Sequence, residues 1–224
     1  METKMAYGNS KLNRDVIKYI AMLTMLLNHI SQVFMKSGYF LSELFLDIGY
    51  FTAITMCYFL VEGFQYTHSK KNYAIRLLIF ALISEIPYCM AFTTNGVLEF
   101  QGLNMLFTLL ICFMILIVND KVSNKFLKDI CILGLIVLSL FCDWALLAPI
   151  FTLLFIWSRG LRNKMKYTFI ISMLLFGLFN FVGGIGRFSL GTNIAYALGS
   201  MSGIALALSL IHISEPTRLR RISY

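Results

Sequence analysis

The sequence predicts an all-α fold, a polytopic transmembrane helical bundle of about eight spans with a cytoplasmic N-terminus. Three observations carry this reading. Of 224 residues, 58% are apolar and only 13% charged, and the mean hydropathy is +0.77, well outside the balance of a globular domain. Apolar runs approaching the roughly 20 residues that a spanning helix needs follow one another with short polar breaks. None of these runs alternates with period two, and backbone groups in lipid must pair internally, so helices are expected rather than barrel strands.

The runs cover 17–35, 44–64, 73–92, 103–118, 126–141, 145–157, 167–182 and 194–207. The first follows a polar METKMAYGNSKLNRD with no cleavage signature, so it is expected to stay as an anchor. The second ends in VEGFQYTHSKK and the third contains Pro87. The short CDW break divides the fifth from the sixth, and SRGLRNKMK and FVGGIGRFSLGT precede the last two. The chain thus divides into a cytoplasmic segment at 1–16, a transmembrane domain at 17–207 and a tail at 208–224. Within that tail, LSLIHISEPTRLRR resembles the translation of a sequencing adapter joined to a truncated gene. Its His212, Glu215, Arg218, Arg220 and Arg221 are therefore left out of the functional reading, which lowers the formal charge of +8 by two.

Cations set the orientation, because Lys and Arg are retained on the inner side of a membrane. With the N-terminus inside, Lys11, Arg14, Lys18, Lys70, Lys71, Arg76, Lys121, Lys125, Arg159, Arg162 and Lys166 fall inside, while Lys36 and Arg187 fall outside. The basic excess then reflects topology and contact with anionic membrane lipids, not nucleic-acid binding. The expected location is the cytoplasmic (inner) membrane, crossed many times.

Polar side chains inside a span are costly and generally face protein or water. Thr24, Asn28 and Gln32 are spaced by four with His29 beside them, forming one polar stripe in the outer half of the first span. Glu85 in ALISEIPYC, Asn104 in GLNMLFTLL and Asp143 in FCDWALLAP approach the same level. A neutral imidazole there, partnered by Asp143 or Glu85, suits a general base, whereas helix-to-helix hydrogen bonding is the structural alternative. Glu62 lies near the inner surface, where Arg76 or Lys70 is its expected partner. Five scattered cysteines without a CxxC pair read as reduced packing residues, and the histidines supply no zinc ligand set, so no metal is expected. The glycines of FVGGIGRFSLGT follow no strand, and no GxSxG is present.

The segments IKYIAMLTMLLNHI, FLVEGFQYTHSKKNYAIRLLIFALISEIP, NMLFTLL and CDWALLAPI together resemble the TraX family of membrane acetyltransferases. The resemblance runs from about Asp15 to Ala207 and is most specific in the middle block. It implies a membrane-embedded acyltransferase moving an acetyl group from acetyl-CoA, as a co-substrate, to a membrane-associated or extracytoplasmic acceptor. By position it marks His29, Glu62, Ser84, Pro87, Asn104 and Asp143. Asn28 departs from the aspartate usual before that histidine. On this reading His29 is the base, Asp143 or Glu85 orients it, Asn104 donates to the oxyanion, and Lys70, Lys71, Arg76, Arg159 and Arg162 meet the phosphates of the donor. A small-solute or proton-coupled transporter and a non-catalytic scaffold are the competing classes.

Overall fold

Local chemistry places the helix starts. Ser69, Asn104 and Asn124 each accept a backbone N–H from the first turn of the helix that follows, satisfying a group that the helix itself leaves unpaired. In the computed structural model, which describes residues 13–93 and 100–214, the elements are α1 (Arg14–Phe34), α2 (Phe40–Gly49), α3 (Phe51–Tyr66), α4 (Lys70–Phe92) and α5 (Met105–Lys121). They continue with α6 (Lys125–Leu138), a 3-10 turn (Ser139–Phe141), α7 (Leu147–Ser158), α8 (Arg162–Gly184) and α9 (Leu190–Ser214). Among the described residues there is no strand, only an isolated bridge between Leu103 and Cys142.

Five segments are long and apolar enough to cross a membrane: α1, α2 with α3, α4, α8 and α9. The other expected spans form shorter helices, of 17 residues in α5, 14 in α6 and 12 in α7. The second span is not one helix. It breaks at Tyr50, which keeps helical dihedrals (φ −63°, ψ −17°) and joins α2 to α3 without a loop. Pro87 lies inside α4, which runs through it from Lys70 to Phe92.

The centre of the bundle is α3, which packs against α1, α5, α7 and α9, while α4 lies at the edge against α5. Phe51, Ile54, Phe113, Phe151, Phe155 and Phe169 fill the core, each at most 1% exposed. Close approach of α2 and α9 depends on glycine. A Cβ on Gly203 would meet the Asp47 carbonyl and the Phe51 amide, and one on Gly199 would meet the Asp47 carboxylate. α9 continues through 208–214, the first part of the segment read as adapter-derived, and Leu208, Leu210 and Ile211 pack on the core. The remainder of that segment, 215–224, lies outside the described residues.

The cations gather at one end of the bundle. Arg14 pairs with Glu62 at 2.8 Å and Lys70 with Asp120 at 2.6 Å, tying the start of α1 to the end of α3 and the start of α4 to the end of α5. Glu62 was expected to meet Arg76 or Lys70. Arg14 takes it instead, because α1 runs alongside α3 in the opposite direction.

Candidate active site

The break at Tyr50 and the loop before α7 together open a cavity of about 700 Å³ at the opposite end. Its walls include Asn28, His29 and Gln32 from α1, Gly49 and Tyr50 from the break, Tyr88 and Phe92 from α4, Asp143 and Trp144 from the loop, and Phe176 and Asn180 from α8. His29 and Asp143, singled out from two distant apolar stretches, thus share one chamber. Several aromatic rings line the same walls. Trp144 stacks on Phe176 at 5.2 Å, and Tyr50 meets both rings edge-on.

His29 is held by rings, not by a carboxylate. Tyr88 and Phe92 contact its imidazole edge-on at 6.3 and 5.5 Å, and its Nδ1 is buried with no hydrogen-bond partner among the described residues. That nitrogen is left to a ligand, or to a proton carried for one.

Asn28 faces the same cavity but is committed to structure. Its Nδ2 donates to the Leu46 carbonyl at 3.2 Å, next to the break, and its Oδ1 accepts from Gln32 Nε2. Gly49 leaves room for it, since a Cβ there would collide with the Asn28 side chain.

Asp143 sits in a loop tied down on every side. Its N–H donates to the Leu103 carbonyl at 2.7 Å, its own carbonyl accepts from Thr108 Oγ1, and its Oδ1 accepts from the Trp144 N–H at 3.1 Å. Trp144 and Leu146 are held at φ 55° and 62°, a left-handed conformation costing about 1–3 kcal/mol at each non-glycine residue. The surrounding bonds hold this loop in place at the wall of the chamber.

Glu85 and Asn104 meet each other instead of His29. Asn104 donates to Glu85 Oε2 from its backbone N–H at 3.0 Å and from Nδ2 at 2.7 Å, and Nδ2 also reaches the Ala81 carbonyl and Ser84 Oγ. Its Oδ1 caps α5 through Leu106 N–H at 2.9 Å. With both amide protons spent on α4, Asn104 has no donor left for an oxyanion, and Glu85 and Ser84 serve the α4–α5 clasp. The expectations for Glu85 as orienting partner and Asn104 as oxyanion donor are corrected accordingly, and Asp143 shares the chamber with His29 without a hydrogen bond to it among the described residues. Tyr50, Tyr88 and Asn180, absent from the sequence-based set, stand in the wall.

A second cavity, about 250 Å³, lies at the cationic end between Tyr58, Glu62, Gln65, Phe155, Arg159 and Met165. Turned so that its amide oxygen faces Arg159, Gln65 accepts from that guanidinium. Arg159 and Lys70 both lie over the Phe64 ring, at 6.0 and 4.1 Å. The hydrogen bond from Lys70 holds the exposed Asp120 carboxyl below its ordinary pKa. Lys71 and Arg76 are exposed along α4 and are not among that cavity's walls, and the side chain of Arg162 lies outside the described residues.

A bundle of apolar helices enclosing an aromatic chamber with a histidine and a carboxylate at one end and a cation-bearing cavity at the other defines a multi-pass membrane protein with internal binding space. The chain belongs to the TraX family, whose model, described as TraX protein, matches residues 13–222. It is also 33% identical over 143 residues to a protein of Dichelobacter nodosus named probable fimbrial assembly protein FimC, serogroup H1. The match covers 61% of this chain and 59% of that protein, so the chain spans less than two thirds of the relative's length. No solved structure matches.

Proposed function

We propose that the protein is a membrane-embedded acyltransferase that moves an acetyl group from acetyl-CoA to an acceptor held in the larger cavity. The observation that carries this reading is the shared chamber of His29 and Asp143, in which the imidazole keeps a buried nitrogen with no partner among the described residues. Acyl transfer from a thioester needs a base for the incoming amine or hydroxyl. His29 takes that proton as the nucleophile attacks the thioester carbonyl. The C–S bond then breaks, and the imidazolium returns a proton to the departing CoA thiolate. Asp143, facing the same space, favours the imidazolium form while it lasts.

The positive-inside rule puts the cationic end in the cytoplasm and the chamber toward the outer side of the inner membrane. Acetyl-CoA enters from the cytoplasm, where Arg159 and Lys70 meet its phosphates, with Lys71 and Arg76 further along α4. The acceptor arrives from the opposite side or laterally through lipid. The fimbrial assembly name carried by the relative supports a surface-fibre subunit as one acceptor class.

Purified protein incubated with radiolabelled acetyl-CoA and a membrane extract should label an acceptor. His29→Ala should lower that labelling by about a hundredfold or more while leaving insertion and abundance normal. Undiminished labelling would remove His29 from the chemistry, and no labelling by the wild type would favour a transporter or scaffold.

A further inference from the structure

The wall of the larger cavity holds no Lys or Arg among the described residues, so negative charge that develops there must be met by the imidazolium or by neutral donors. Most polar side chains of that wall already serve the protein. Asn28 donates to the Leu46 carbonyl, Gln32 to Asn28 Oδ1, Asn180 to the Phe176 carbonyl at 2.9 Å and Thr52 to the Ala21 carbonyl at 2.8 Å. The hydroxyls of Tyr50 and Tyr88 donate to no atom of the described residues. A phenol carries one O–H that can turn to meet an acceptor, and each of these two is still free to do so.

The two tyrosines differ in their surroundings. Tyr50 is boxed edge-on by Trp144 and Phe176, and the carboxylates whose charge reaches its hydroxyl are Asp47 and Glu43 of α2. Tyr88 meets the His29 imidazole edge-on at 6.3 Å, and the carboxylates whose charge reaches its hydroxyl are Asp143 and Glu85. Of the two, Tyr88 is therefore the one in contact with the candidate base and within electrostatic reach of the chamber's acid. Its place is also fixed. Glu85, one turn earlier on the same face of α4, is held by the Asn104 N–H and Nδ2, and Phe92 packs on the Tyr88 ring at 4.9 Å. The clasp that takes Glu85 and Asn104 out of the chemistry thus anchors the helical turn that carries Tyr88.

We propose that Tyr88 is a further catalytic residue of this site, its hydroxyl donating a hydrogen bond to the thioester oxygen as that oxygen becomes an oxyanion. The inference rests on the acyl-CoA reading above. Attack of the acceptor on the carbonyl carbon forms the new bond and moves the C=O pair onto oxygen, where the Tyr88 O–H meets the charge. The C=O then re-forms, the C–S bond breaks and its electron pair leaves on the CoA sulfur. The phenol proton stays on Tyr88 throughout, while His29 handles the proton of the acceptor. A donor held in place before the charge appears needs no reorganisation at the moment of reaction, which is what makes one fixed hydroxyl effective.

Steady-state transfer from radiolabelled acetyl-CoA to a membrane extract, by protein in lipid nanodiscs, tests this. Tyr88→Phe keeps the ring against His29 and Phe92 and removes only the hydroxyl. It should lower kcat by about a hundredfold or more, as loss of one oxyanion donor does, with KM for acetyl-CoA and the thermal midpoint unchanged. Replacing Tyr88 with 3-fluorotyrosine, which retains the hydroxyl and makes it a stronger donor, should give a kcat equal to or above that of the wild type. A purely structural ring would leave all three proteins alike. Undiminished kcat in Tyr88→Phe, or a loss that falls on KM instead of kcat, overturns the assignment while leaving the acyl-CoA reading intact. A wild type that transfers no acetyl group overturns both.

Discussion

Asn28 shows how one side chain is fixed by its neighbours. Its amide donates to the Leu46 carbonyl beside the α2–α3 break, and a carboxylate at that position has no proton to give. Asn28→Asp should cost about 1–3 kcal/mol of stability through repulsion between carboxylate and carbonyl. Thermal unfolding in detergent checks this, and an equal or higher midpoint would contradict the assignment. Asp143 makes a complementary test. Asparagine retains the oxygen that accepts from Trp144 N–H, so Asp143→Asn preserves the loop and removes only the charge. On the proposed function, acetyl transfer should then fall by about tenfold or more in kcat/KM, with unfolding unchanged.

Among the elements, the contact of α2 with α9 is the most sensitive to added volume. Gly203→Ala would press a methyl group against the Asp47 carbonyl and the Phe51 amide, both backbone atoms that cannot rotate away. A loss of about 1–3 kcal/mol is expected. Gly191→Ala, where a Cβ meets nothing within 4 Å, should change stability little and serves as the control. The α4–α5 junction carries a pH dependence of known sign. Lys70 depresses the Asp120 pKa in the folded state, so the pair contributes stability above the unfolded carboxyl pKa of about 4 and loses it as pH falls further. Wild type and Asp120→Asn should therefore differ in thermal midpoint near neutral pH and converge in acid. The difference is small, because both partners are partly exposed to solvent.

For the molecule as a whole, orientation is the testable property. In a background with the five native cysteines replaced, Lys36→Cys should react with an impermeant maleimide added outside intact cells, and Lys166→Cys only after permeabilisation. The reverse pattern would turn the bundle over and place the cationic cavity outside, where acetyl-CoA is absent. On the proposed function the two cavities would divide the work, the polyanionic donor at the cationic end and the acceptor in the chamber of His29 and Asp143.

Hydropathy and the distribution of Lys and Arg were enough to establish an all-helical membrane bundle and the end at which its cations collect, because burial in lipid is a property of each stretch taken alone. The same reasoning picked out His29 and Asp143, whose polarity conflicts with the apolar residues around them. It could not choose partners. Glu85 and Asn104, Glu62 and Arg14, and the Asn28 contact beside Gly49 join residues that lie 18 to 48 positions apart, so only the packing of one helix on another decided them. Tyr50 and Tyr88 stayed hidden for a related reason: an aromatic residue suits an apolar helix whether it faces lipid, core or cavity. The break at Tyr50 leaves no mark in a continuous apolar run, yet it opens the wall in which the imidazole sits.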